Sequence, residues 1–168
     1  VILKKTDFKA DEINMMAVAK GGTSVYGNDK VYDMMFMPVV LEQHGLGNFT
    51  NSDLTKMLAG KQVSLKVSLD DYVRTLSGNT TPKDLKTYME MIYMTFTGLT
   101  VTPDEFTAMQ NLVKGLIHNQ EQNPSFVFQK KVQEFLYDSP NKQVFGVSDI
   151  EKASRDNILS IIREQLAN

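Results

Sequence analysis

The chain reads as an α+β domain in which an antiparallel sheet of about four strands is covered by helices. Three observations predict this. Val63, Leu65, Val67 and Leu69 alternate with Ser64, Lys66 and Ser68, a period of two that marks a strand with one buried face. Thr81-Pro82, Thr102-Pro103 and Asn123-Pro124 each set a capping side chain before a proline. The cap oxygen satisfies a free backbone N–H, and proline at the first helical position has none to lose. Downstream of these starts, apolar residues recur every three or four positions. Each helix therefore has one face to bury, against a sheet or another helix.

In chain order, Val1–Lys5 and Glu12–Lys20 are the first strand segments, the second with Ile13, Met15, Ala17 and Ala19 on one face. Val31 to His44 is an apolar helix. The alternating segment at 63–69 is expected as a central strand with Lys66 pointing outward. Asp70-Asp71 turns it into Tyr72–Gly78, giving an antiparallel hairpin. From there the chain is nearly all helix. Leu85, Met89, Ile92, Tyr93 and Phe96 form one stripe, and Phe106, Met109, Val113, Leu116 and Ile117 a second. Phe128, Val132, Phe135 and Leu136 form a third, and Ile158, Ile161, Ile162 and Leu166 a fourth. Glu105 lies three residues after Thr102, which completes a capping box. The three prolines are 21 residues apart, but the residues between them do not match, so the spacing reflects helix length and not a repeat. Ser139-Pro140-Asn141-Lys142 is a turn too short to be a domain linker. Residues 1–168 form a single domain.

Composition narrows the function classes. The 168 residues are 42% hydrophobic and 23% charged, ordinary for a globular domain with one core. A net charge of −2 argues against nucleic acid as a partner, since tracking phosphates needs clustered Lys and Arg. No apolar run approaches the ~20 residues that span a bilayer. The absence of Cys excludes disulfides, thiolate metal sites and Cys nucleophiles, and fits cytoplasm and periplasm alike.

Residues able to carry chemistry are few. The two histidines are His44 and His118, where a catalytic zinc site wants about three protein ligands. His118 with Glu121, and Glu134 with Asp138, lie at helical spacing, which solvated helix surfaces show routinely. Glu42 and His44 are two apart on a helix and point to different faces. His44, just before Gly45, is better placed to cap freed carbonyls at the helix end. A metal enzyme using His44 and His118 is the least supported reading. There is no G-x-S-x-G nucleophile pattern. Gly21-Gly22-Thr23-Ser24 lacks the lysine and spacing of a phosphate loop and reads as a strand-end turn. Asn48-Phe49-Thr50 and Asn79-Thr80-Thr81 match the glycosylation triplet, which is frequent by chance. Methionines cluster at 34–37 and 89–94, where core filling explains them.

Several segments together resemble the pitrilysin/insulinase family of zinc metallopeptidases, the group with an inverted H-x-x-E-H motif. The opening Val1 to Phe8 resembles a domain-initiating strand, and Gly21 to Ser24 the turn after the next strand. Gly45-Leu46-Gly47-Asn48-Phe49, followed by Asp53 to Lys61, resembles the loop and short helix after the motif helix. Leu76-Ser77-Gly78 and Pro82 to Leu85 resemble the last hairpin strand and the next helix start. The match is to the first domain of the C-terminal half of long bacterial members.

The resemblance implies a metallopeptidase-like sandwich of the mitochondrial processing peptidase type. In catalytic domains of the family the helix at 31–44 would carry two histidine ligands and a glutamate base. Aligned on Gly47, those positions hold Pro38, Glu42 and Leu41, and a third ligand would fall near Gly115 and Leu116. No catalytic, cofactor-binding or metal-ligating residue carries over. A proline at 38 should also cost ~3 kcal/mol inside a helix unless packing compensates. The resemblance thus implies a non-catalytic domain of a two-half zinc endopeptidase that encloses peptides in a chamber, with zinc held in another domain of the parent. Its partners would be the parent's other domains and a peptide or unfolded polypeptide, and a periplasmic location is implied by the family alone. The chain would be a piece of a longer one, lacking its final strand. The alternative is a stand-alone binding or assembly module of a catalytically inactive relative.

Overall fold

The computed structural model describes residues 1–139 and 142–167. It is an α+β structure with two antiparallel sheets and a helical layer. The main sheet has three strands, β1 (Ile13–Lys20), β3 (Val63–Leu69) and β4 (Val73–Thr80), in the order β1-β4-β3. A ribbon of two residues each, β2 (Gly45–Leu46) and β5 (Leu99–Thr100), forms a second sheet. The helices are α1 (Val31–Gln43), α2 (Asn51–Met57), α3 (Leu85–Gly98), α4 (Pro103–Glu121), α5 (Pro124–Leu136), α6 (Val147–Ile150) and α7 (Arg155–Ala167). Pro140 and Asn141, half of the expected turn at 139–142, lie outside the described residues.

The expected hairpin forms, with Leu69 opposite Arg74 and the N–H of Asp70 donating to the carbonyl of Val73 at 2.9 Å. Ala17, Leu76 and Val67 share one row across the sheet, so the alternation read at 63–69 points its apolar set toward the helices. One expectation is corrected. The central strand is β4, and β3 is an edge, because β4 follows the turn and pairs with β1 as well. Val1–Lys5 forms no strand. Val1, Ile2 and Leu3 stand fully exposed, and a strand exists only through pairing with a neighbour.

The core lies between the sheet and α1, α4 and α7. α1 is apolar nearly all round and buries Phe36, Met37, Val40 and Leu41. Phe36 meets Phe106 of α4 edge-on, with ring centroids 5.4 Å apart. Ile158, Ile161 and Ile162 of α7 are buried as the fourth stripe predicts, and Phe106, Met109 and Ile117 as the second does, whereas Leu116 of the second stripe is exposed. The first and third stripes are corrected. On α3 the buried residues are Tyr88 and Thr95, while Met89, Tyr93 and Phe96 are exposed. On α5 no residue is fully buried, and Phe128, Phe135 and Leu136 face out.

The helix starts behave unequally. Thr102 and Glu105 form the predicted capping box, and Asn123 accepts the N–H of Ser125 at 2.9 Å. The start expected at Thr81-Pro82 is displaced to Leu85. Thr81 to Asp84 first make a turn closed by the N–H of Asp84 donating to the carbonyl of Thr81 at 3.1 Å. The Asp84 carboxylate is drawn instead to the N–H of Gln62, 2.9 Å away, which ties the head of α3 to the approach of β3.

The glycine pair after β1 is a structural turn. Gly21, Thr23 and Ser24 donate to the carbonyls of Tyr72, Asp70 and Asp71, and Gly22 donates to Oε1 of Gln165 at 2.9 Å. With all four N–H groups satisfied internally, none is left for a phosphate. Gly22 has φ +104°, and a Cβ there would sit 2.1 Å from the Asp70 carbonyl oxygen, so glycine is required.

Candidate functional site

A groove of about 520 Å³ is bounded by the C-terminal half of α1, by α2, by α3 and by β3. Six consecutive residues of one chain segment, Leu65 to Asp70, border it. Inward and outward residues of a strand can both border a groove only if the groove runs along the strand's edge. This is the edge of β3 that faces away from β4, and no strand pairs with it among the described residues. Its backbone donors and acceptors are the kind of row that another extended chain can complete.

Local sequence explains how the walls are held. Thr50 and Asp53 form a reciprocal capping box, with the N–H of Asp53 donating to Thr50 Oγ1 and the N–H of Thr50 donating to Asp53 Oδ2, both at 3.1 Å. The Thr50 hydroxyl also donates to Asp53 at 2.7 Å. These bonds hold the Asp53 carboxyl below the usual carboxylate range. They start α2, whose Leu54 and Thr55 border the groove together with Leu58 just past its end. The Thr50-x-x-Asp53 spacing was the available signal for this wall. Gly47, at φ +61°, donates to the carbonyl of Gly98 at 2.6 Å and folds the loop after α1 onto the end of α3.

All three positions singled out in α1, Pro38, Leu41 and Glu42, border the groove, and so does His44. α1 runs unbroken through Pro38, which sits exposed on the groove side. His44 caps α1 as its position suggested, with Nδ1 2.8 Å from the carbonyl oxygen of Leu41. A carbonyl only accepts, so Nδ1 carries the proton and Nε2 of the neutral ring is bare. Burial pushes the His44 pKa down, with the bond to Leu41 opposing.

The structure does not bring the two histidines together into one site. His118 is exposed on α4 and does not border the groove, nor do Gly115 and Leu116. Glu121 accepts from Lys130 and Glu134 from Lys131, as surface pairs do. The donors present do not suit a catalytic zinc. Pro38 offers no side-chain donor and Leu41 no base. Glu42, His44 and Asp70 border the groove, but no three His, Asp or Glu side chains converge to ligate a metal among the described residues.

No protein-family model and no curated protein matches the chain. Solved structures do. The periplasmic protease PqqL from Escherichia coli matches with a TM-score of 0.75 at 16% identity, over 97% of this chain and 18% of that one. The ferredoxin protease FusC, in complex with Arabidopsis ferredoxin, matches at 0.69 and 14%, over 94% and 17%. A peptidase M16 inactive domain from Pseudomonas fluorescens matches at 0.59 and 12%, over 94% and 45%. This chain therefore spans less than a fifth of the first two proteins. No described helix is long and apolar enough to cross a membrane. At such identities the likeness shows the fold alone, an α+β architecture shared with these protease structures and with an inactive M16 domain.

Proposed function

We propose that this chain is a non-catalytic domain of a longer, two-half zinc endopeptidase, where it forms part of the wall of a peptide-enclosing chamber. One observation carries the reading: the α1 positions where the resembled family would place ligands and base hold Pro38, Glu42 and Leu41, and all three border the groove. The scaffold is kept and the chemistry is not. The likeness to an inactive M16 domain and the small share of PqqL and FusC that the chain spans support the same view.

In this role the domain works through geometry. The open edge of β3 offers backbone pairing to an extended substrate segment, which fixes the segment's direction. Orientation of this kind is worth orders of magnitude in rate. Zinc belongs to another domain of the parent, and the periplasm is the proposed location, by similarity to PqqL.

The test is made in the parent. Removing residues 1–168 should abolish peptide hydrolysis while bound zinc, measured by elemental analysis, stays unchanged. Substituting Glu42 or His44 should leave turnover nearly intact. A large loss from either, with folding and zinc unchanged, overturns the proposal. A parent gene without an intact H-x-x-E-H elsewhere would make the domain a binding or assembly module instead.

A further inference from the structure

We infer that β1 is a self-complementary edge, through which two copies of this chain join their three-stranded sheets into one of six, about a two-fold axis at Ala17. This edge lies on the far side of the sheet from the groove, and the pairing does not depend on the role proposed above.

β1 is paired on one side only. It bonds to β4, and no strand meets its other edge among the described residues. The open edge of β3 is walled by α1, α2 and α3, which leaves β1 as the edge another sheet can reach. Met16 to Lys20 are all exposed, residues of both faces alike. On the face turned from the helices, β3 and β4 carry Ser64, Lys66, Ser68, Thr75, Ser77 and Asn79. There β1 carries Met16 and Val18, 71% and 59% exposed. Open edges are ordinarily blunted by a proline, a bulge or an inward charge. β1 has no proline, its eight residues pair with β4 without a break, and its one charge is Lys20 at the end.

The backbone fixes how two such edges meet. Gly21 donates inward to the carbonyl of Tyr72, one step beyond the pair of Lys20 with Val73. N–H and C=O groups alternate sides along an antiparallel strand, so those of Asn14, Met16, Val18 and Lys20 point outward. An antiparallel second copy uses all four when Asn14 meets Lys20 and Met16 meets Val18, each pair exchanging two bonds, about eight in all. Met16 and Val18 then cover each other across the seam, which accounts for their exposure. Ala17 falls opposite its own counterpart at a non-hydrogen-bonded position, where Cα atoms come within about 4.5 Å and a small side chain fits. Lys20 comes diagonal to Glu12 of the second copy, whose carboxylate already draws Lys9 at 2.6 Å. Opposite charges thus close both ends of the seam.

Sedimentation velocity on the 168-residue chain reads the pairing. Joining residues 14–20 of each copy makes a small interface, so the change from monomer to dimer should fall between about 10 and 300 μM. Val18→Pro removes a donor that β4 does not use; it should give a monomer at every concentration, with circular dichroism unchanged. The chain has no cysteine, so Ala17→Cys should cross-link into a covalent dimer under mild oxidation, because about 4.5 Å between Cα atoms lies within disulfide range. Ala19→Cys, which would face Met15 of the second copy, should cross-link about tenfold more slowly. A chain that stays monomeric at about 300 μM overturns the proposal. So does a dimer that survives Val18→Pro, which would rest on another face. Equal cross-linking at positions 17 and 19 would overturn the two-fold at Ala17. Should Val18→Pro fail to fold, the cross-linking comparison decides alone.

Discussion

Oδ1 of Asp33 accepts the backbone N–H of Ser154 at 2.7 Å, which joins the first turn of α1 to the head of α7 across 121 residues of chain. Oδ2 of the same carboxylate accepts from Nδ2 of Asn157 at 2.9 Å. Asp33 is 4% exposed. A helix start leaves donors unpaired; Ser154 Oγ accepts the N–H of Asn157 locally at 3.5 Å, and the carboxylate from a distant helix takes the N–H of Ser154 itself. Asp33→Ala should therefore cost about 2–3 kcal/mol in a urea titration, the scale for removing a charged acceptor from buried donors. A loss below about 0.5 kcal/mol would mean that water replaces the carboxylate freely.

The sheet register gives a second expectation. Leu76 lies on the central strand and is 5% exposed, while Lys66 points outward from the edge strand. Leu76→Ala should cost ~2–5 kcal/mol and Lys66→Ala should stay within about 0.5 kcal/mol. Leu65→Ala, half-buried beside the groove, should fall between them. Equal losses at positions 66 and 76 would place the strands one residue out of register.

His44 should make stability depend on pH. Its folded pKa lies below the ordinary value of 6.5, chiefly because of burial. Between the two values the unfolded chain holds the proton and the folded chain does not, so stability rises with pH there. It should be complete above about pH 6.5 and decline as the pH falls toward the folded value. His44→Asn keeps a donor for the Leu41 carbonyl but cannot titrate. Comparing melting temperatures from pH 7.5 to 5 should show a shallower slope for the variant, and identical slopes would rule out this origin.

Pro38 is an exposed residue within the unbroken α1, where it removes one helical hydrogen bond. Pro38→Ala should raise stability by about 1–3 kcal/mol, the interior proline penalty less the unfolded-state entropy that proline suppresses. A fall in melting temperature would instead show that the pyrrolidine ring is held by contacts in the groove.

Much of this fold was legible because local physics and tertiary need agreed. The Thr102–Glu105 box, the Asp70-Asp71 turn and the isoleucines of α7 each have a short-range signature that the packing respects. The misreadings share another cause. α3 carries apolar residues on two faces, with Tyr88 and Met91 on one and Met89, Tyr93 and Phe96 on the other. Periodicity alone cannot say which face meets the sheet. α5 has a clear stripe, but its Phe128 and Phe135 find no layer to enter among the described residues. Of the groove, only the α1 positions Pro38, Leu41 and Glu42 were singled out, through the resemblance and not as a groove wall. The contributions of α2 and of the β3 edge were not, because whether a strand is central or terminal depends on pairing that no single segment encodes.

The bond from Gly22 to Gln165 spans 143 residues. Gln165 also donates to the Tyr26 hydroxyl at 3.1 Å, and its carbonyl accepts from Arg74. During synthesis the glycine turn leaves the ribosome long before its partner exists. At ~5–20 residues per second the wait is roughly 7–30 s. Throughout that interval the end of β1 and the β3–β4 hairpin lack their last fastening, and the apolar rows of both strands stand open to chaperones or to premature pairing. Gln165 thus acts as a late clasp, and a ribosome stalled before this codon would present a nascent chain with its sheet unsecured.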